Sequence, residues 1–112
     1  MANHERELLK GSTDCLVLSV INDRPTYGYA LIRELKSRSS GYFRFREGTL
    51  YPALHRMEKE ELIEGRWQTL PNGQERRYYY ITERGREALE HKLLTWSDFS
   101  AAVKSVLTPG TT

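Results

Sequence analysis

The sequence is poor in several features that define whole classes of protein. Its single cysteine, Cys15, excludes a disulfide bond within the chain. It has no apolar run of signal-peptide length at its start and none long enough to cross a membrane, so we expect a cytoplasmic protein without a membrane partner. Its net charge is only +2, with 17 Lys and Arg against 15 Asp and Glu. The overall charge therefore gives no indication of a nucleic-acid partner, and only its distribution can.

Motifs of enzymes are also missing. The three histidines, His4, His55 and His91, are scattered, and no cysteine or paired carboxylate stands at metal-ligand spacing from them. We find no Gly-rich phosphate loop and no nucleophile motif. We therefore expect no catalytic activity, no metal and no cofactor.

What the sequence does contain is a balanced composition in a short chain. It has 112 residues, of which 38% are hydrophobic and 29% charged, as in a globular protein with one core. A core of this size covers only part of the apolar surface, so association between subunits is favoured.

Apolar residues at helical spacing predict three helices in the first half of the chain. The first spans about Leu8 to Asn22, and Thr26 is expected to cap the second. The third spans about Glu47 to Glu61. We place its start close to Gly48-Thr49, because Pro52 is tolerated within the first turn of a helix.

A β-hairpin is predicted next. Residues alternate at period two from Leu62 to Thr69, and the segment from Arg76 to Ile81 is rich in tyrosine. Asn72-Gly73 between them is a strong turn signal.

A last helix completes the predicted order. Thr82 is expected to cap it, and it runs to about Leu107. Three helices, a hairpin and a long helix predict a mainly α fold, a winged helix-turn-helix followed by a C-terminal dimerisation helix. We expect the DNA-binding domain at 8–82, the dimerisation helix at 83–107, and flexible ends at 1–7 and 108–112.

The third helix carries the clearest functional signal. Its outward face, opposite three apolar residues, is expected to present Thr49, Tyr51, Pro52, His55, Arg56 and Lys59. Side chains of these types suit base edges and phosphate oxygens of double-stranded DNA. Because the N-terminal end of such a helix approaches the bases, we assign Thr49, Tyr51 and Pro52 to base contact. Arg56 and Lys59 are assigned to phosphate.

The hairpin is predicted to act as the wing. Asn72 and Gly73 form its tip, and Arg76 and Arg77 supply cations beside it. Tyr27, the first apolar residue of the predicted second helix, is included in the same DNA-binding set.

Three segments make the chain resemble a known family: Tyr27-Gly28-Tyr29, Glu47 to Glu58 with its Gly-Thr-Leu-Tyr-Pro run, and Arg76 to Gly85. They resemble the PadR family of bacterial regulators, and the likeness extends from about Leu9 to Leu107. It implies a dimeric winged-helix protein, usually a repressor, of the subfamily with a single short C-terminal helix. Glu61 departs from the family pattern, in which many members have glycine there, so the end of the third helix is open to question.

The last helix carries an apolar stripe at near-heptad spacing, interrupted by Ser100. The stripe predicts a helix-helix seam between two copies of the chain, and hence a palindromic operator. Its members are Leu89, Leu93, Trp96, Phe99, Val103 and Leu107.

Two residues near this seam have a second interpretation. In some PadR-like proteins paired tryptophans enclose flat aromatic ligands, and Trp96 stands at the matching place; the alternative is that Trp96 only packs in the interface. Cys15 belongs to the same predicted dimer and effector set. It is a candidate redox sensor, although a lone cysteine is more often a small buried hydrophobe.

Two other functions stay open at this point. A winged helix can serve as an adaptor for protein partners, and a dimer with an aromatic pocket can serve mainly as a small-molecule sensor. A steep fall of affinity with salt distinguishes DNA binding from an adaptor.

Overall fold

The predicted order of elements is found across residues 12–108, the part of the chain that the computed structural model describes. That part has four helices and one three-stranded antiparallel sheet, so the mainly helical winged fold is confirmed. The elements are α1 (Thr13–Asp23), β1 (Thr26–Tyr27), α2 (Gly28–Arg38), α3 (Glu47–Lys59), β2 (Ile63–Thr69), β3 (Glu75–Ile81) and α4 (Glu83–Leu107). None of these helices is both long enough and apolar enough to cross a membrane.

Some predictions fall outside those residues. The expected first residues of α1, at 8–11, and the expected flexible ends at 1–7 and 109–112 are not among the described positions. Thr108 is described, and its backbone N–H donates to the carbonyl of Lys104 at 2.9 Å, which closes the last turn of α4.

A single core joins the helices to the sheet. Leu18, Leu31, Leu50 and Leu54 are wholly buried, and each such side chain stabilises the fold by roughly 2 kcal/mol. Together with their buried neighbours they recur at helical spacing, as Leu31 and Leu35 do in α2, so one face of each helix is buried. The remaining core members are Val17, Val20, Ile21, Leu35, Phe45, Met57, Leu62, Ile63, Tyr79 and Leu89.

The sheet has one strand more than predicted. Thr26 does not cap α2; it lies in β1 and pairs with Tyr79, while Tyr27 pairs with Tyr78. The strand order is β1-β3-β2, so the tyrosine-rich β3 is the central strand. The prediction of a cap was wrong because Thr26 is β-branched and meets a partner strand more than 50 residues away. A strand of two residues shows no alternation by which sequence alone would reveal it.

The start of α3 also differs from the prediction. The helix begins at Glu47, and the backbone N–H of Leu50 donates to the carbonyl of Arg46 at 3.0 Å. Pro52 is therefore the sixth residue of α3, beyond the first turn, and cannot donate to the carbonyl of Gly48. Both Pro52 and Gly48 are exposed, so water can satisfy that carbonyl.

The end of α3 answers the question raised by Glu61. Glu61 has a φ of 62°, in the left-handed region where glycine is usual. The N–H of Leu62 donates to the carbonyl of Met57 at 2.9 Å, and the N–H of Glu61 donates to Glu58 at 3.0 Å. This is a Schellman motif, closed by burial of both Leu62 and Met57. The helix ends at Lys59, two residues earlier than predicted.

The junction between the wing and α4 is held by one hydroxyl. Thr82 Oγ1 accepts from the N–H of Gly85 at 2.9 Å, which confirms the predicted cap. The same hydroxyl lies 2.6 Å from the carbonyl of Glu61 and 3.0 Å from that of Leu62. A Cβ on Gly85 would run into the carbonyl of Leu62, so only glycine allows this close approach.

Beyond Leu89 the long helix leaves the core. Leu89 is buried against the body, but large apolar side chains farther along α4 are exposed in the single chain. Trp96 is 52% exposed and Phe99 59%. The molecule is accordingly elongated, with a longest dimension of 60 Å against 30 and 21 Å.

Candidate nucleic-acid interface

The two faces of α3 are divided as the sequence predicts. Leu50, Leu54 and Met57 are wholly buried. All six residues of the proposed reading face are exposed: Thr49, Tyr51, Pro52, His55, Arg56 and Lys59. Hydroxyl, imidazole and cationic groups thus share one surface.

Tyr51 is less outward than its companions. It is 42% exposed, and its ring lies across the backbone of Gly28 at the start of α2. A Cβ on Gly28 would overlap that ring and would come within 2.9 Å of the hydroxyl oxygen of Tyr51. The hydroxyl of Tyr51 therefore lies beside α2 and not at the tip of the reading face.

Arg56 is occupied by carboxylates. Its guanidinium donates to both oxygens of Asp14 on α1, at 2.6 and 2.9 Å, and to Glu60 at 3.0 Å. These hydrogen bonds, with that to Asp14 foremost, raise the pKa of Arg56 above its already high ordinary value. The bidentate pair ties the reading helix to α1, and it leaves Arg56 less available to a phosphate than Lys59, which enters no ion pair within residues 12–108.

The two wing arginines have different surroundings. They are consecutive residues of β3, and both are partly covered. Arg77 donates to Glu58 of α3 at 2.7 Å, and this hydrogen bond raises the pKa of Arg77. Arg76 lies 3.9 Å above the ring of Tyr27 and enters no ion pair in the described part of the chain. Arg76 is thus the wing cation that is free to meet an anion.

The wing tip has the predicted tight turn. Gly73 has a φ of 86°, which glycine adopts at no steric cost, and its N–H donates to Leu70 at 2.9 Å. The side-chain oxygen of Asn72 accepts from the N–H of Gln74 at 3.0 Å. Asn72 and Gly73 are both exposed at the end of a rigid protrusion.

A cleft of about 510 Å³ opens where α2, α3 and the wing meet. We call it the wing cleft, and it is lined by Tyr27, Gly28, Tyr29, Tyr51, Trp67, Arg76 and Arg77. Sequence reasoning missed Trp67 and Tyr29. The period-two pattern of β2 places Trp67 on the same face as Ile63, but Ile63 is buried whereas Trp67, farther out on the wing, is 63% exposed. Its pairing opposite Arg77 would have indicated the cleft, but that register cannot be read from spacing.

Arg44 and Arg46 were also missed as site residues. They lie in the connection before α3, both exposed, and neither enters an ion pair within residues 12–108. Arg44 is braced by donation to the carbonyl of Gly41 at 2.8 Å. Both cations were visible in the sequence, but they precede the helix and therefore were not included in its predicted reading face.

The residues predicted for dimer and effector contacts fall into two groups. Leu89 belongs to the core of the single chain, and Val103 is partly covered. Leu93, Trp96, Phe99 and Leu107 are exposed, and the rings of Trp96 and Phe99 lie 6.1 Å apart.

Cys15 stands apart from that group. It is partly covered on α1, and burial raises the pKa of its thiol against the opposing effect of Lys92. A raised thiol pKa makes the reactive thiolate scarcer at neutral pH and weakens the redox-sensor hypothesis.

Comparison with known proteins identifies a family and several solved relatives. Residues 17–91 match the model of the PadR-like family of transcriptional regulators. A solved PadR-like transcriptional regulator from Bacillus cereus is 36% identical; the alignment covers 91% of this chain and 97% of that one, with a TM-score of 0.80. A transcriptional regulator of Mycobacterium tuberculosis is 34% identical over 84 residues, 75% of each chain.

Bacillus subtilis PadR, solved in complex with operator DNA, is more distant. It is 20% identical, with a TM-score of 0.66 over 72% of this chain and 46% of that one. At that identity the likeness is one of fold alone.

Proposed function

Because this chain belongs to the PadR-like family of transcriptional regulators, we propose that it binds a palindromic operator as a homodimer and represses transcription until a ligand releases it. Family membership makes it a DNA-binding regulator and not an enzyme. Its proposed place of action is the cytoplasm, where bacterial DNA is found. The operator, the dimer, the repression and the ligand are the proposed parts.

The observation that carries the proposal is the exposed polar face of α3 beside a wing with a free cation. Thr49, Pro52 and His55 stand in the first turns of the reading helix, where a helix in the major groove meets base edges. Lys59 and Arg76 suit phosphates on either side.

The structure changes the weight of three predicted contacts. Arg56 and Arg77 are held by Asp14 and Glu58, so we propose that they fix the angle of the reading helix and the wing. Tyr51 lies against α2, where a DNA backbone would pass, and we assign it to the backbone instead of the bases.

A dimer is proposed because the outer part of α4, residues 93–107, exposes an apolar stripe that the core formed within residues 12–108 does not cover. Leu93, Trp96, Phe99 and Leu107 lie on it, and Val106 at 76% exposure widens it. Covering this surface with a second copy removes apolar area from water at roughly 25 cal/mol per Å². A two-fold axis would place two reading helices about one helical turn apart on the DNA.

The effector is proposed from the pair of aromatic rings on that stripe. Trp96 and Phe99 lie 6.1 Å apart, and a second copy would bring four such rings together. A flat aromatic molecule stacks favourably in such surroundings. A ligand bound there changes DNA affinity only by its preference for one spacing of the two reading helices.

The proposal is tested by selecting bound duplexes from a random library at two salt concentrations. We expect a palindromic consensus with half-sites about 10 base pairs apart, and an affinity that falls steeply with salt. Absence of any consensus together with salt-independent binding would instead support an adaptor for protein partners.

A further inference from the structure

The wing cleft has a chemical character unlike the rest of the DNA-facing surface. Four of its seven lining residues are aromatic: Tyr27, Tyr29, Tyr51 and Trp67. The reading face of α3, in contrast, presents hydroxyl, imidazole and amine groups. A partner of the cleft therefore needs both an apolar surface for the rings and an anion for the guanidiniums.

Of the two arginines in the cleft, only Arg76 is without a carboxylate partner among residues 12–108. Arg77 is neutralised by Glu58 at 2.7 Å, and the same guanidinium lies 5.4 Å from the ring of Trp67. Arg76 has no carboxylate partner among residues 12–108 and is held by stacking on Tyr27 at 3.9 Å. Tyr27 is itself fixed by edge contact with Tyr78, at 5.4 Å between ring centroids. The free guanidinium is thus held in place before any partner arrives, which lowers the entropy lost on binding.

One unit of the DNA backbone fits these requirements. Its phosphate is an anion, and the face of its deoxyribose is apolar. A base fits less well, because removing it from the stack of a duplex costs a few kcal/mol. The cleft also lies between the reading helix and the wing, so a duplex lying on both would pass its backbone over the cleft.

We propose that the wing cleft holds one phosphodiester of the operator together with its deoxyribose. Arg76 pairs with the phosphate, and Trp67 and Tyr51 pack against the sugar. Arg77 is a positioning residue that holds the cleft open through Glu58. This inference rests on the proposed function, since it needs DNA on the α3 face.

The test uses a duplex enriched from the random library by the full-length protein, with one phosphate at a time replaced by a neutral methylphosphonate. We expect one position in each half-site at which replacement weakens wild-type binding by about tenfold, as for loss of a charge-assisted hydrogen bond. At that position alone, the same replacement should weaken Arg76→Ala by less than about twofold, because the contact is already lost.

Arg66→Ala is the matched control. Arg66 is also a wing arginine stacked on a tyrosine, 4.4 Å from the ring of Tyr80, but it lies outside the cleft. It should keep the full tenfold loss at the marked phosphate. Trp67→Ala should weaken binding several-fold without changing the salt slope, and Trp67→Phe should restore most of the loss, because the contact is apolar.

Additive losses for Arg76→Ala at every phosphate, with the operator still bound, would overturn the cleft assignment and leave the proposed function standing. Failure to enrich any duplex would remove the proposed function, and this inference with it.

Discussion

The two ends of this molecule differ in how many contacts the single chain makes to their exposed side chains. On the body that is proposed to face DNA, three contacts hold long side chains in place: the bidentate pair of Arg56 with Asp14, the Arg77–Glu58 pair and the Arg76–Tyr27 stack. On the outer part of α4, residues 93–107, large apolar side chains are exposed, and no residue within 12–108 holds them by an ion pair or a cation–π stack.

The difference indicates which surface is held by contacts within the chain and which is left exposed. The surface proposed to face DNA is held by these contacts in the single chain, so we expect its specificity to depend little on ordering flexible side chains. The outer part of α4 exposes apolar surface that, under the proposed function, a second copy of the chain covers. Substitutions at the two ends should therefore fail in different ways, the first in DNA affinity and the second in assembly.

The largest expected effect is at the apolar end. Phe99→Asp places a charge on the proposed seam, and a charge without a partner opposes burial. We expect a monomer by sedimentation, and a drop of operator affinity by roughly a thousandfold, toward the non-specific level. Ser105→Asp, an exposed residue about 160° around the same helix from Val103, should remain a dimer. A monomeric Phe99→Asp protein that binds its operator at wild-type strength would separate dimerisation from DNA reading.

The next effect is at the junction between the two ends. Gly85→Ala forces a Cβ against the carbonyl of Leu62, and we expect a loss of roughly 3 kcal/mol in the free energy of unfolding, measured by urea denaturation. Gly48→Ala is the control, because no atom lies within 4 Å of its added Cβ. That substitution should stabilise α3 by about 0.5–1 kcal/mol. Equal stability of the two variants would show that α4 is free to move away from the wing.

A smaller effect tests whether the body is organised by its ion pairs. Asp14→Asn removes the bidentate partner of Arg56, although Glu60 remains. We expect the released guanidinium to reach a phosphate, which raises the salt slope of non-specific DNA binding by about one unit. Asp23→Asn, which loosens Arg38 away from the reading face, serves as the control and should leave the slope unchanged. A lower slope in Asp14→Asn would mean that the pair helps binding by orienting α3.

The stability of the α3 end gives a still smaller effect. Glu61→Gly should raise the free energy of unfolding by about 1 kcal/mol, because Glu61 has a left-handed backbone that glycine adopts without strain. Glu60→Gly, one residue earlier and with a φ of −79°, should be destabilising. A loss of stability in both variants would mean that contacts of the Glu61 side chain stabilise the fold by more than its backbone strain costs.

The smallest effect concerns Cys15. Burial raises its thiol pKa, so less thiolate is present at any pH below that value. We expect alkylation by iodoacetamide at pH 8 to be slower in the folded protein than in urea, with the pH profile of the rate shifted upward. Faster labelling of the folded protein would revive the sensor hypothesis.

Much of the fold could be predicted from the sequence because helical spacing and turn residues are local signals. The stripe of Leu50, Leu54 and Met57 and the Asn72-Gly73 turn are examples. β1 could not be predicted, since only its partner strand makes Thr26 extended. The end of α3 at Glu61 could only be posed as a question.

The sequence predicted which residues of α3 are exposed, but not which of the site's cations are free of ion pairs. The exposed residues of α3 follow from the position of the apolar stripe. That Arg56 is bound by Asp14 depends on a contact across 42 residues, and that Arg77 is bound by Glu58 depends on the angle of the wing. Neither distance is encoded in a local pattern.

The hydroxyl of Thr82 has a mechanical consequence. It fixes α4 to the base of the wing and to the end of the reading helix through Glu61, Leu62 and Gly85. The 25 residues of α4 span about 37 Å at 1.5 Å per residue, so moving the far end by about 3 Å turns the helix by only about 5°. Under the proposed function, α4 is a long lever with its pivot at Thr82. A ligand that displaces the far end of α4 at the seam would therefore change the angle of the wing on the DNA by only a few degrees.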